Sequence, residues 1–320
     1  MISNTLPQRR PIPMTLNALI LIGQLAALGA CFLAASRLHA FWPVVGLAIG
    51  FGVLMNSVYS IIHEAEHAIL FPNRRLNEAG GVLMALFFPA PFHLLRQGHL
   101  GHHRRNRSDD EAFDLYFDGD NVVWKWLVWL GILTGLYYVL VAISNVVAAF
   151  APFILDRRHF KIDRHVTVDR ASAAFLESFN PNHLRWIQLE GIAAIALHTA
   201  IIWGLRIPIG TYLTMYGSFG FMWSAMQYVH HYGTERHVTR GARNLFLFGP
   251  IDAIWLNHNW HQAHHEHPTV PWIHLPQVAA ADEDSAPRRG FLPWAYVKMW
   301  RGPRRTDQHV ENKYAGRIIQ

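Results

Sequence analysis

The chain begins with two apolar runs, residues 15–36 and 41–62, in which no side chain is charged. Each run is 22 residues long, and an α-helix needs about 20 residues to cross the hydrocarbon core of a bilayer. Only 16% of all residues are charged, against about 25% in soluble domains. We therefore predict that the chain starts with a hairpin of two membrane-spanning helices.

Further apolar stretches indicate more membrane segments. Residues 186–205 and 208–228 are interpreted as two more spans. Residues 122–155 are too long for one span and short for two, so we interpret them as a tight hairpin or an interfacial element. Two shorter runs, 79–95 and 245–256, are interpreted as interfacial or re-entrant. Together these lengths predict an all-α fold, an integral membrane helical bundle of four to six membrane helices with a cytosolic cap.

Basic residues are distributed unevenly among the connections. Arginines are frequent in residues 72–121, in residues 156–185 and near the C-terminus, whereas the remaining connections carry little beyond Arg37 and Arg206. Short loops rich in Lys and Arg usually stay in the cytoplasm. We therefore predict that both termini and the large loops face the cytoplasm.

The composition changes after about residue 280. We predict one membrane domain, residues 1–280, followed by a cytosolic C-terminal tail, residues 281–320, which is rich in Arg and Pro. The tail is expected to be loosely ordered. Its stretch FLPWAYVKMW would lie at the lipid head groups, because it combines aromatic side chains with a lysine.

Histidine is the outlier of the composition, with 21 residues against a single cysteine, Cys31. One cysteine excludes a disulfide framework, a cysteine-ligated zinc site and an iron–sulfur cluster. The histidines form three clusters, HEAEH (His63 and His67), HLGHH (His99, His102 and His103) and HQAHH (His261, His264 and His265).

The spacing within these clusters suits metal binding. Residues three and four apart share one face of a helix, and histidine is the commonest metal ligand. All three clusters follow an apolar segment on the predicted cytoplasmic side. Eight histidines exceed the roughly four ligands that one zinc ion takes, so we predict a site for two metal ions.

The order H-x-x-x-H, H-x-x-H-H, H-x-x-H-H resembles that of the membrane fatty acid desaturase and hydroxylase superfamily. The segment HQAHHEHPTVPWIHLP at 261–276 resembles that family's third histidine box, and HLGHHRRNRSDDEAFD at 99–114 resembles its second. The resemblance extends from about residue 15 to residue 276. It implies that the eight histidines bind two iron ions, that O2 is the co-substrate, and that electrons come from an external donor.

The resemblance also implies one further ligand, from the membrane helix before the third box. The candidates are His230 and His231 in SAMQYVHHYG, unless both merely cap the helix end. We prefer His231, because Gln227 lies four residues earlier on its face and resembles an amide of the family that holds a metal-bound water. In the third box, His258 competes with His261, and the spacing favours His261.

Several acidic residues are candidates to support these histidines. A metal-bound histidine usually passes its second N–H to a carboxylate or a carbonyl, and Glu64, Asp110 and Asp114 lie inside or just after the first two boxes. Glu190 and His198 lie eight residues apart in an apparent span. They are expected either to bind substrate or to be buried together away from lipid.

A rival interpretation starts from HEAEH, which is a literal H-E-x-x-H motif. In zinc proteases the two histidines of this motif bind zinc and the glutamate is the general base. An intramembrane zinc protease would use His63, His67 and Glu64, but it leaves the six histidines of the other two clusters unexplained. The desaturase-like interpretation is therefore favoured.

The resemblance implies a fatty acyl substrate and a membrane-bound di-iron oxidoreductase. Removal of two hydrogens would give a double bond, return of oxygen would give an alcohol, and loss of CO2 from a free acid would give a terminal alkene. We predict desaturation and leave hydroxylation and oxidative decarboxylation open. Four arginines are expected at the entrance to the site, where they would hold an anionic head group of the substrate or simply follow the positive-inside rule. They are Arg74, Arg75, Arg104 and Arg105.

Electrons would have to come from a separate protein, since one cysteine and no fused haem domain leave no internal carrier. A ferredoxin, a rubredoxin or a small haem protein would serve. The formal charge of +6 suits an acidic donor, and no nucleic-acid partner is expected.

Overall fold

The computed structural model describes residues 10–155, 170–281 and 290–319. Much of the basic segment 156–185, and the start of the predicted tail at 282–289, lie outside these residues. The helices are α1 (Met14–Ala35), α2 (Phe41–Glu66), α3 (Arg74–Phe87), α4 (Phe92–Arg105), α5 (Val122–Thr134), α6 (Leu136–Phe150), α7 (Arg170–Ser178), α8 (Leu184–Gly204), α9 (Ile209–Val229), α10 (Gly249–Ile254), α11 (His261–Glu266), α12 (Leu275–Ala281) and α13 (Leu292–Met299). The strands are β1 (Leu115–Tyr116), β2 (Leu245–Phe246), β3 (Gly290–Phe291) and β4 (Arg304–Arg305).

The structure confirms an all-α membrane bundle. Within the described residues, three helical segments are long and apolar enough to cross a membrane, namely α1, α2 and the segment Pro181–Gly204 that contains α8. Two bent helix pairs raise that number to five if each pair is counted as one span, which overlaps the predicted four to six. Helix α9 has 21 residues but is not among these spans.

Helix α2 lies at the centre of the bundle and packs against α1, α3, α4 and α9. Its side of the core is aromatic, with Phe51 and Phe219 fully buried. Helix α1 lies at the periphery and exposes large apolar side chains, among them Leu19 and Ile22 at 62% and 61%. Exposed leucines and isoleucines all along a helix are expected where lipid is the solvent.

The stretch 122–155 is neither straight nor a tight hairpin. Helices α5 and α6 meet at 91°, whereas a hairpin would reverse the chain direction. The bend is at Gly135, whose φ of +89° favours glycine and whose added Cβ would lie 2.8 Å from the backbone of Phe221. The prediction of a tight hairpin is therefore wrong.

The C-terminal segment packs onto the rest of the molecule. Strand β4 pairs in parallel with β1, the Trp129 indole donates to the Met299 carbonyl at 3.0 Å, and the Asp109 amide donates to the Val310 carbonyl at 2.8 Å. The prediction of a loosely ordered tail is therefore wrong for residues 290–319. The sequence missed these contacts because they join short segments far apart in the chain.

Candidate metal centre

The structure brings all nine predicted histidines together in two groups. In each group, one potential ligand atom per residue lies within 4.8 Å of the others. The five-histidine group contains His63, His67, His99, His103 and His264. The four-histidine group contains His102, His231, His261 and His265.

Helices α4 and α11 each supply both groups. Successive residues on an α-helix point about 100° apart, so His102 and His103 face different groups although they are adjacent in the sequence. In α11, His261 and His265 are one turn apart and face the four-histidine group, while His264 faces the other. The two groups are therefore held by the same two helices.

The Nε2 atoms of several of these histidines converge on one another. In the five-histidine group, the Nε2 atoms of His67 and His99 are 2.7 Å apart, and those of His103 and His264 are 2.9 Å apart. In the four-histidine group, the Nε2 atoms of His231 and His261 are 3.0 Å apart.

Several of the other ring nitrogens find no partner. The buried nitrogen atoms without a hydrogen-bond partner include His63 Nε2, His261 Nδ1, His264 Nδ1 and His265 Nδ1. A buried polar atom without a partner is costly. Convergent imidazoles with unsatisfied nitrogens fit metal ions in both groups.

Burial keeps four histidines outside the membrane helices neutral. Desolvation lowers the pKa well below its usual value for His231, His261, His264 and His265. A neutral imidazole has a free lone pair, which is the form that binds a metal ion.

Glu111 is the carboxylate that supports a histidine of the site. His102 Nδ1 lies 2.7 Å from Glu111 Oε1, and Arg105 Nε donates to Glu111 Oε2 at 3.0 Å. Burial alone would raise the pKa of Glu111, but the Arg105 guanidinium and His102 outweigh it and lower that pKa. Glu111 therefore accepts from His102 as a carboxylate and leaves Nε2 free to face the four-histidine group.

His231, rather than His230, belongs to the four-histidine group. Its Nδ1 donates to the Gly241 carbonyl at 2.8 Å, so Nε2 is left to face His261. The His230 ring lies beside His261, with its Nδ1 donating to the Arg243 carbonyl at 3.2 Å. The preference for His231 agrees with this geometry.

The four residues predicted to support the ligands make other contacts. Glu64 accepts from the Trp272 amide at 3.1 Å, Asp110 accepts from Asn312 at 2.8 Å, and Gln227 donates to the Trp223 carbonyl at 3.3 Å. Asp114 is buried and accepts from Arg107, from Tyr228 and from the Gly233 amide. Within the described residues these contacts lie outside the two histidine groups, and a supporting role for the four residues stays a prediction.

Asp114 nevertheless acts on the site through the backbone. It fixes Gly233, two residues after His231, and Tyr228, three residues before it. The pairing of Arg107 with Asp114 also holds the loop after α4 against the end of α9. This buried network sets the position of the turn that carries His231.

Glu190 and His198 are both buried but do not face each other. Glu190 accepts from both the ring Nδ1 and the backbone N–H of His93, at 2.5 and 3.1 Å. His93 is in the first turn of α4. The residue before the helix is Pro91, whose side chain makes no capping hydrogen bond. His198 instead contacts the Leu86 carbonyl and the Tyr212 hydroxyl. Both residues are buried, as one of the two alternatives predicted, but each has its own partners, and Glu190 anchors α4.

His258 lies beside both groups without belonging to either. Its ring is 4.9 Å from that of His63 and 5.3 Å from that of His261. The preceding residues Leu256 and Asn257 both have positive φ, 47° and 53°, a strained conformation for a leucine. A small cavity here is lined by Ser60, His63, Glu64, Leu256, His258, His264 and Leu275.

The arginines predicted at the entrance to the site differ in their surroundings. Arg105 is buried and paired with Glu111, so it is not available to bind a head group. Arg74 is exposed and lies 3.5 Å from Glu78, one turn further along α3.

Comparisons with known proteins agree with this geometry. The model of a family described as "Fatty acid desaturase" matches residues 40–297, which contain all nine histidines. The omega-3 fatty acid desaturase, chloroplastic, of Glycine max is 23% identical over 307 residues, with 87% of this chain and 60% of that protein covered. The chain therefore spans about 60% of the length of the relative that it matches.

Proposed function

Because the chain belongs to the fatty acid desaturase family, we propose that it is a membrane di-iron oxidoreductase that desaturates a fatty acyl chain with O2. The observation that carries the proposal is the pair of adjacent histidine groups, which share two helices. The two histidine groups offer enough ligands for two metal ions, each with open coordination positions.

The five-histidine group would hold one iron ion and the four-histidine group the other. Imidazole suits iron among other metals, and nine ligands exceed what a single zinc ion takes. When bound, the iron pair supplies the activation of O2 that removes hydrogen from an unactivated C–H bond.

The chain's own residues prepare the site for that chemistry. Glu111 and the Gly241 carbonyl each accept the second N–H of a histidine, which fixes the ring and its tautomer. Burial of His231, His264 and His265 keeps water away from these three rings. Within the described residues, catalysis would therefore depend on the orientation of the histidine ligands and on their burial from water, rather than on an additional acid or base.

The substrate would be a fatty acyl chain that enters from the bilayer. Hydroxylation and oxidative decarboxylation need the same hydrogen removal, and they differ in the fate of the reacting carbon. Both termini and the histidine groups would face the cytoplasm, where a ferredoxin, a rubredoxin or a small haem protein would deliver electrons. The net positive charge would favour an acidic donor.

The geometry does not favour a zinc protease. His63 and His67 share their group with three further histidines. Glu64, which would have to activate water, accepts instead from the Trp272 amide and is not in either group. A general base must reach the reacting water, so the HEAEH motif is better explained as part of the larger site.

Two measurements on the detergent-purified protein test the proposal. Elemental mass spectrometry should find iron at two ions per chain, one for each histidine group. Reconstituted with iron, a reductase and fatty acyl substrates, the protein should form unsaturated products by mass spectrometry. One zinc ion per chain after iron reconstitution would contradict the metal assignment, and hydroxylated or alkene products would contradict desaturation alone.

A further inference from the structure

An apolar surface beside the metal centre is exposed although it lies next to membrane helices. We name it the α10–α13 edge. Its side chains are between 40% and 62% exposed and are Phe248, Ile254, Phe291, Trp294, Val297 and Trp300. Contiguous exposed apolar surface of this kind marks an interaction site.

The two halves of the edge are joined to each other. Strands β2 and β3 pair in parallel, with Phe246 opposite Phe291. The rings of Phe248 and Phe291 are 6.5 Å apart. The residues before α10 and those before α13 therefore form one continuous surface.

Helix α10 ends beside the membrane part of α2, below the histidines. Ser57 donates to the Ile254 carbonyl, Ser60 donates to the Trp255 carbonyl at 3.0 Å, and the Trp255 indole donates to the Val53 carbonyl at 3.0 Å. Ser57 precedes His63 by six residues, which is about 9 Å along a helix. Because α2 is a candidate span, the end of α10 lies at the depth of the bilayer.

Helix α13 lies at a similar level. The Tyr296 hydroxyl donates to the Leu133 carbonyl at 2.9 Å, and its ring is 6.0 Å from that of Phe221 in α9. Phe221 is eight residues before the end of α9, about 12 Å along the helix axis. Helix α13 thus packs beside the bundle rather than above it.

Helix α13 is apolar on two faces. Ala295 and Met299 are buried against the bundle, while Trp294, Val297 and Trp300 recur at intervals of three and point outward. Arg301 follows directly and is exposed. A short helix with outward aromatic residues and a terminal basic residue is typical of a membrane interface.

We propose that the α10–α13 edge is embedded in the bilayer leaflet on the histidine side. Phe248, Ile254 and Trp294 would contact acyl chains, and Trp300 with Arg301 would lie at the head groups. The segment from β2 to α10 would then separate lipid from the small cavity at His63, because Leu256 follows α10 and lines that cavity. This proposal rests on the membrane bundle and not on the reaction.

Because Cys31 is the single cysteine of the sequence, its replacement allows one labelling site at a time to be introduced. In a Cys31→Ser background, one cysteine at a time is introduced as Phe248→Cys, Trp294→Cys or Val297→Cys and labelled with an environment-sensitive fluorophore. The protein with its metal is reconstituted in phosphatidylcholine vesicles. Quenching is measured with phosphatidylcholine brominated on its acyl chains and with aqueous iodide.

Two matched positions calibrate the measurement. Ile22→Cys reports the lipid-facing side of α1, and Asp307→Cys reports a side chain that is 87% exposed in the C-terminal segment. The edge positions should be quenched by brominated lipid as strongly as Ile22→Cys, with a severalfold loss of iodide quenching relative to Asp307→Cys. Three positions keep the test decisive if one variant fails to fold, as judged by size-exclusion chromatography.

Two results would overturn the proposal. Iodide quenching at the level of Asp307→Cys would place the edge in water. Weak quenching by both reagents would show that protein, such as a second copy of the chain, covers it. Neither result would bear on the iron content or the products, so the proposed function would stand or fall separately.

Discussion

The two histidine groups are built from the same kind of side chain but are held in place differently. The five-histidine group takes His63 and His67 from the buried end of α2, where helix packing fixes the backbone. The four-histidine group takes His231 from a turn after α9, where the Gly241 carbonyl orients its ring, and His102 from α4, where Glu111 orients its ring. Packing thus holds one group, and polar contacts hold the other, so the two should respond differently to substitution.

The largest effect is expected from removing a ligand. His264→Ala in the five-histidine group and His102→Ala in the four-histidine group should each abolish activity and lower the iron content, because each metal ion would lose an imidazole ligand. Elemental mass spectrometry and product analysis check this. His309→Ala, at a side chain that is 66% exposed, is the control. Full activity in either ligand variant would remove that histidine from the site.

Glu111→Gln should separate the two groups. Changing a residue that orients a metal ligand typically costs about 10- to 100-fold in metal affinity. The loss should affect one of the two iron ions, because Glu111 contacts His102, which belongs to the four-histidine group. Iron release to a chelator is followed over time. One ion per chain should be released faster than from the unsubstituted protein, and the other at an unchanged rate. Equal loss of both ions would contradict the distinction between the groups.

Glu190→Gln should weaken both groups together, because α4 supplies ligands to each. A buried hydrogen bond to a charged group contributes about 1.5–3 kcal/mol, and the loss should appear as a lower unfolding temperature and a lower iron content. Glu190→Ala should lower the unfolding temperature and the iron content further, because it also removes the hydrogen-bond acceptor of the His93 ring. His198→Gln is the matched control on the same helix, because its partners are Leu86 and Tyr212. An equal loss of iron in that control would show a general effect of α8.

The smallest effect is expected from Thr234→Ala. The Thr234 hydroxyl donates to the same Gly241 carbonyl that accepts from His231, at 3.0 Å. Its loss should cost about 0.5–1.5 kcal/mol and slightly speed iron release from the four-histidine group. Thr214→Ala, which removes a hydroxyl bonded to Gly210 within α9, should leave iron release unchanged. A loss of iron in both variants would assign the effect to α9 itself.

Hydropathy predicted the bundle, and histidine spacing predicted eight of the nine residues that converge, while His231 was predicted from the family resemblance. A side chain's helix position is set locally, so His99, His102 and His103 could be placed on one helix without knowing what packs against it. The partner that an acidic side chain contacts depends on the conformation of turns, which are far less regular than a helix. Asp110 and Asp114 were predicted to support the ligands, but a 3-10 turn at Asp109–Glu111 directs Glu111 to His102 instead.

Long-range contacts were the other part that the sequence did not reveal. The role of Glu190 depends on α8 packing against α4, 97 residues earlier in the chain. The order of residues 290–319 depends on pairing with β1 and α5. The bend at Gly135 depends on the close approach of the Phe221 backbone. None of these partners is encoded in a local pattern.

The shared use of α4 and α11 sets a condition on how the enzyme is made. Contacts within the groups join residues 161 and 163 positions apart, and each group needs at least one residue of α11. The ribosome must therefore synthesise all three candidate spans and pass residue 265 before either group is complete. The complete ligand set of either group therefore exists only after α11 has been synthesised, and a chain stalled before α11 would lack at least one histidine of each group.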